Sequence, residues 1–145
     1  TTNNLDYEAV QRKFIEIKAE VVGTTIISKT IVEVFTKNKN DAKPVFPRSN
    51  INLKIPENLG YIPNLVCMFA TDADGTATTK LTYSIASGNV GNLFSIDKET
   101  GKLSVKNLDY SKTTSYELKV QAYDGYVGAD RSSHIAHATV KVAVV

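Results

Sequence analysis

The sequence predicts an all-β protein: a seven-stranded antiparallel Greek-key sandwich over residues 44–145, preceded over residues 1–43 by the C-terminal part of another such repeat. Three observations carry this expectation. Apolar residues recur at period two, as in Ile15, Ile17, Ala19 and Val21 or in Tyr116, Leu118, Val120 and Ala122, which is the spacing that turns one side of a strand toward a core. Turn residues punctuate the chain at short intervals, and no stretch reads as a convincing amphipathic helix. The chain also repeats itself. Leu5-Asp6-Tyr7-Glu8 returns as Leu108-Asp109-Tyr110-Ser111, and Ile15-x-Ile17-x-Ala19 as Leu118-x-Val120-x-Ala122, with the same offset in both pairs. An offset the size of one small sandwich domain means tandem modules.

Residues 15–21 alternate with Glu16, Lys18 and Glu20 and predict a half-buried strand; after Gly23, Ile31-Val32-Glu33-Val34-Phe35 predicts a second. Two strands alone cannot bury their apolar face, so the rest of this first repeat is expected upstream of Thr1 or from another chain. Asn38-Lys39-Asn40-Asp41-Ala42-Lys43-Pro44 then forms the joint, where Pro44 blocks helix and starts a new extended run. The next three strands are expected at Asn52 to Pro56, Leu65 to Ala70 and Leu81 to Ile85. Ser87-Gly88-Asn89 and Gly91-Asn92 break the chain before Phe94-Ser95-Ile96, and Asp97-Lys98-Glu99-Thr100-Gly101 turns it into Lys102-Leu103-Ser104-Val105. Strands over Tyr116 to Ala122 and from about Ala138 to Val145 complete the set. The expected core is Leu65 or Val66, Met68, Ala70, Tyr83, Ile85, Phe94, Ile96, Leu103, Leu118, Val120 and Val140.

Composition narrows the function. An apolar share of 42% supports a real core, and a net charge of +2, evenly spread, leaves no basic face for nucleic acid and no pull toward a membrane surface. The single cysteine, Cys67, excludes an internal disulfide and reads as a small strand hydrophobe. No apolar run reaches membrane-spanning length, so any leader or anchor would lie outside this sequence; no Asn-x-Ser/Thr sequon occurs. The two histidines, His134 and His137, point to opposite faces of a strand, and neither has a Cys, Ser or carboxylate motif beside it. They read as surface or strand-edge residues, and nothing else suggests an enzyme.

The remaining signal is oxygen. Asn38, Asn40 and Asp41 in the joint are hard donors of the kind Ca2+ takes. Acids also stand at later turns: Pro56-Glu57-Asn58, Asp72-Ala73-Asp74-Gly75, Asp109 and Ala122-Tyr123-Asp124-Gly125. Asp72 does not start an EF-hand loop, because Gly75 comes too early and Tyr83 stands where that loop has its bidentate Glu. In their order, these motifs resemble the extracellular cadherin repeat, an Ig-like sandwich. That family shows Pro-Glu near the first strand, Asp-x-Asp after the second, Leu-Asp-Arg/Tyr-Glu before the sixth, Ala-x-Asp at its end and Asp-x-Asn-Asp-x-x-Pro at the joint. Phe94-Ser95-Ile96-Asp97 followed by Thr100-Gly101-Lys102-Leu103 is similar as well. The resemblance covers nearly the whole chain.

The resemblance implies a joint stiffened by up to three Ca2+ ions. Asp6, Glu8 and Asp41 would serve the first ion; Glu8, Asn38, the Lys39 carbonyl, Asp41 and Asp74 the middle one. The third would take the Asn40 side chain, the Ala42 carbonyl, Asp72, Asp74, the Thr78 carbonyl and Asp124, and it is the best-supplied of the three. Carboxylates gathered from two domains and a joint repel one another until dications turn the repulsion into a clamp, so a metal-free joint should be flexible. Glu57 and Asp109 would belong to the next joint. Three departures matter. Asn38 replaces the family's Asp, Val21 stands at the position matching Asp124, and Ser111 replaces the Glu of Leu-Asp-x-Glu. The Pro-Glu motif serving the Asn38 joint would lie upstream.

The function so implied is a calcium-dependent adhesion and structural module of a surface ectodomain, extracellular and partnered by other cadherin-type ectodomains, homophilic or heterophilic. With no tryptophan in the chain, exchange of a Trp-bearing strand is excluded, which fits an internal repeat of a long cadherin. The alternative is a carbohydrate- or ligand-binding cadherin-like sandwich of a secreted or bacterial protein. An exposed basic or aromatic strip would favour it, yet most of the seven Tyr and five Phe stand at core-parity or motif positions.

Overall fold

The computed structural model describes residues 5–75, 79–130 and 134–145, and the chain divides into two compact units, Thr1–Lys39 and Asn40–Val145. In the first unit, strands β1 (Arg12–Glu20) and β2 (Ile27–Phe35) pair antiparallel, with Arg12 opposite Phe35 and Glu20 opposite Ile27. Between them the Val21 carbonyl accepts the Thr24 N–H at 3.1 Å and the Thr24 hydroxyl at 3.0 Å. The register sets Ile15 against Val32 and gathers Ile17, Ala19 and Val34 on the same side. Ion pairs line the other side, Arg12 with Glu33 at 2.6 Å and Lys29 with Glu16 at 2.7 Å. The alternation expected to half-bury this strand is present, but every β1 residue is exposed. A two-stranded ribbon has no second layer to cover it.

The second unit holds seven strands: β3 (Asn50–Ile55), β4 (Ile62–Cys67), β5 (Thr82–Ser87), β6 (Phe94–Ile96), β7 (Lys102–Val105), β8 (Ser115–Tyr123) and β9 (Ile135–Val144). They form a four-stranded sheet of order β3-β9-β8-β5 and a three-stranded sheet of order β4-β7-β6. Every β pairing is antiparallel except β3 with β9, which run parallel, so the sandwich is mixed where a purely antiparallel one was expected. Strand number explains this. When successive strands alternate in direction, the first and seventh point the same way, and as neighbours they can pair only in parallel.

Strict alternation supplies the core. Tyr116, Leu118, Val120 and Ala122 of β8 and Ala136, Ala138, Val140, Val142 and Val144 of β9 are buried, while residues between them face outward. Phe94 meets Tyr116 edge-on at 5.2 Å between centroids, tying one sheet to the other. Met68, Ala70, Tyr83 and Leu103 are buried as expected, with Leu65, Val66, Ile85 and Ile96 packed at the margin of the core. β4 starts earlier and ends earlier than its apolar run suggests. Asn64 takes a left-handed φ of 51°, the pairing to β7 shifts between Ile62 and Val66, and past Cys67 the Met68 N–H still donates to the Gly101 carbonyl at 2.8 Å before the Ala70 N–H bonds the Tyr83 hydroxyl at 3.2 Å. Cys67 alternates with the buried Met68 and is exposed.

Two local devices place the ends of these strands. Asp97 Oδ1 accepts the Thr100 N–H at 2.7 Å, the Thr100 hydroxyl at 2.8 Å and the Glu99 N–H at 3.0 Å, and these bonds hold its carboxyl below the usual range. Gly101 follows with φ +67°, where a Cβ would lie 2.4 Å from the Met68 carbonyl oxygen. Three residues beyond Met68, Thr71 and Val45 exchange backbone hydrogen bonds of 2.8 and 2.9 Å, bringing residues 40–45 alongside the loop that follows β4. No helix among the described residues is long and apolar enough to cross a membrane.

Leu118 is fully buried at the centre of this core. Leu118→Ala should lower the unfolding free energy by about 3 kcal/mol, read from urea denaturation with an unchanged slope. A loss under about 1 kcal/mol would mean that the two sheets are not packed through this residue.

Candidate metal centre

At one end of the second unit, three pieces of chain deliver oxygen atoms to one place. The Asn40–Ala42 stretch is held by Asp74, whose Oδ2 accepts the N–H groups of Asp41 at 3.2 Å and Ala42 at 2.9 Å. Asp74 is fixed by its own turn, its N–H donating to Asp72 Oδ1 at 2.9 Å while Gly75 takes a positive φ of 74°. Asp124, directly after β8, is reached by Asn40, whose Nδ2 donates to the Asp124 carbonyl at 3.4 Å. Carboxylate oxygens of Asp41 and Asp74 lie within 4.8 Å of one another. Asp74 and Asp124 are 3% and 2% exposed, so these acids are out of water.

Electrostatics make the arrangement costly as it stands. Burial, and then the charges of Asp74 and Asp124, push the Asp72 carboxyl above its ordinary range, although the Asp74 N–H pulls the other way. Among the described residues, the buried oxygens Asn40 Oδ1 and Asp72 Oδ2 accept no hydrogen bond. A buried acceptor left without a donor is destabilising, and a carboxylate more so than an amide. An oxygen-only donor set with unsatisfied lone pairs and excess negative charge fits a hard divalent cation, Ca2+ above all, which takes about six to eight oxygens.

Of the residues singled out in the sequence, Asn40, Asp41, Ala42, Asp72, Asp74 and Asp124 are therefore assembled within one unit. Thr78 lies outside the described residues. Asp6, Glu8, Asn38 and Lys39 belong to the first unit, where Asp6 Oδ1 caps a turn by accepting the N–H groups of Glu8 at 3.0 Å and Ala9 at 3.3 Å. Farther along the second unit, Glu57 Oε2 accepts the Tyr110 N–H at 2.9 Å. Asp109 is served by its own neighbours: Oδ1 accepts the Ser111 hydroxyl and N–H, and Oδ2 lies 3.1 Å from Lys112 Nζ. The Ser111 hydroxyl and then Lys112 hold the Asp109 carboxyl below its usual range.

One histidine departs from expectation. His134 is not at the surface: it is 7% exposed, with Nδ1 at 2.5 Å from Asp124 Oδ2. Nothing adjacent in sequence signals this, because the pairing of β8 with β9 brings the two residues together across a loop. His137 is exposed, and partial burial followed by the charges of Lys119 and Lys43 lowers its pKa.

Comparison with known proteins bears on this geometry. The family model of the cadherin domain matches residues 51–143. Mouse (Mus musculus) cadherin-related family member 2 is 36% identical over 126 residues, 83% of this chain and 10% of the relative. Human (Homo sapiens) protocadherin-1 is 37% identical over 147 residues, 99% of this chain and 13% of the relative. Among solved structures, the extracellular cadherin domains 1–4 of protocadherin gamma B7 superpose with a TM-score of 0.81 at 27% identity, over 97% of this chain and 34% of that one. The chain thus spans only a small part of the length of the relatives it matches.

The raised pKa of Asp72 carries a sign. Without metal its contribution to stability is fully present below the ordinary carboxylate pKa and is lost as pH rises through the higher folded value. Asp72→Asn should therefore leave the metal-free melting temperature at neutral pH equal to or above the parent's, while removing most of any rise on adding CaCl2. A lower melting temperature in EGTA together with an intact calcium response would show that Asp72 is a structural acid and no ligand.

Proposed function

The chain belongs to the cadherin family, and from that membership we propose that it is a calcium-dependent adhesion and structural module of a cadherin-type ectodomain, with Ca2+ stiffening the joint between successive repeats. In this reading residues 1–43 are the C-terminal part of one repeat, ending in the calcium-binding linker, and residues 44–145 are the repeat that follows. The reading places the protein at the outer cell surface, with other cadherin-type ectodomains, of the same or a different kind, as partners.

The observation that carries the reading is the pair of buried, unsatisfied oxygens, Asn40 Oδ1 and Asp72 Oδ2, beside the carboxylates of Asp74 and Asp124. A bound dication would supply the positive charge and the coordination those atoms lack. Asn40, Asp72, Asp74 and Asp124, with the carbonyls of Ala42 and Thr78, would hold the best-supplied ion. Glu8, Asn38, the Lys39 carbonyl, Asp41 and Asp74 would hold the middle ion, and Asp6, Glu8 and Asp41 the first. Asn38 offers the middle ion an oxygen without a charge. At the next joint, Glu57 and Asp109 would act without the carboxylate that Ser111 replaces. Asp109 is engaged with Ser111 and Lys112, which supports a weaker site there.

Melting curves test the proposal. A ligand that binds only the folded state stabilises it in proportion to the logarithm of its concentration over the dissociation constant. The curve in millimolar CaCl2 should move to higher temperature than the curve in EGTA, and overlaid curves would refute the site. Asn38→Asp tests the middle ion. In a chain of two whole repeats, calorimetric titration should show tighter binding than the parent, because a carboxylate is added against a dication. Unchanged or weaker binding would remove Asn38 from the ligand set.

A further inference from the structure

We propose that His134, braced by Tyr126, is the positioning residue that holds the Asp124 carboxylate in the orientation required to bind the ion. The inference rests on the reading of Asp124 as a calcium ligand and adds a residue that touches no ion itself. Both oxygens of Asp124 are engaged by its own unit. Oδ1 accepts the Tyr126 N–H at 2.8 Å, and Oδ2 lies 2.5 Å from His134 Nδ1. A carboxylate that binds a cation only accepts, so in that role Asp124 takes its hydrogen bond from an Nδ1–H of His134. The side chain of Asp124 is completely buried, which leaves water no part in orienting it.

The imidazole is held in turn. The Tyr126 ring stacks on it at 3.8 Å between centroids with an interplanar angle of 7°. The Tyr123 hydroxyl donates to the Tyr126 carbonyl, and the Asp124 N–H donates to the His134 carbonyl at 3.4 Å, closing the loop between β8 and β9. Two bonds to one carboxylate stop its rotation, yet each oxygen keeps a second lone pair for a cation. Groups that orient a liganding carboxylate in this way typically contribute ten- to hundredfold to metal affinity, by an estimate of about that size.

The arrangement separates two roles of the ring. His134→Asn keeps an N–H donor near the position of Nδ1 and loses the stacking ring; His134→Phe keeps the ring against Tyr126 and loses the donor. Calorimetric titration of CaCl2 into the whole chain should give His134→Asn an affinity within about threefold of the parent and His134→Phe an affinity weaker by about tenfold or more. Melting temperatures in EGTA show whether each variant is folded before metal is added. If His134→Phe does not fold, His134→Leu, smaller and equally without a donor, carries the same expectation. Parental or tighter binding by the variants without a donor would overturn the inference and leave the proposed function standing. Equal weakening in His134→Asn and His134→Phe would also overturn it, since ring packing alone would then explain the loss. A parent that binds no calcium would refute the proposed function, and the role of His134 with it.

Discussion

A carboxylate oxygen that is out of water and without a donor must be matched by positive charge, and in the second unit that constraint falls on Asp72. Its neighbours add to the demand, because Asp74 and Asp124 are buried more deeply still. Backbone N–H groups meet part of it, those of Asp41, Ala42 and Asp74 among them. They neutralise no charge. Packing that served only the stability of the metal-free unit would have no reason to gather these acids; packing that serves a dication would.

The sandwich is what brings these oxygens together. Asp124 is delivered by β8, whose alternate residues Leu118, Val120 and Ala122 are fully buried and leave the strand no freedom to slip by one position. Asp72 and Asp74 follow β4, and the backbone exchange between Val45 and Thr71 sets that loop beside the chain entering the unit. The site's geometry is therefore inherited from core packing several residues away. A slip in either place would move one of these oxygens without changing any residue of the cluster.

The sequence was informative where the physics is local. Period two in Tyr116 to Ala122 foretold both the strand and its buried side; Asn40, Asp72, Asp74 and Asp124 could be named only through the resemblance of their ordered motifs to the cadherin repeat, since an Asp or Asn at a turn is ordinary when taken alone. What depends on tertiary arrangement was less visible. Asn64 bends β4 away from the span its apolar run implies, and the parallel pairing of β3 with β9 follows from strand count and not from any residue pattern. The apolar face of β1 was legible as a pattern, but its exposure is a property of what lies on top of it. His134 was misjudged for the same reason: ten positions from Asp124 in sequence, it becomes a neighbour only once β8 and β9 pair.

The two acidic regions of the second unit settle their charge by different means. Asp109 finds a hydroxyl, an N–H and an ammonium group within its own turn, and Glu57 finds the Tyr110 N–H, so these acids need nothing from outside. Asn40 and Asp72 hold oxygens that no donor among the described residues satisfies. The contrast turns on small substitutions. A Ser at position 111 contributes a donor where a Glu would have added another acceptor, and Lys112 places a positive charge beside Asp109. What lowers the pull of Asp109 on a metal is the ammonium group of Lys112, which already sets a positive charge against this carboxylate. At Asp72 no ion pair with Lys or Arg is present among the described residues, and Oδ2 has no donor. The same kind of acid is therefore self-contained in one turn and left with an unsatisfied oxygen in another, and the difference lies in the donors around it.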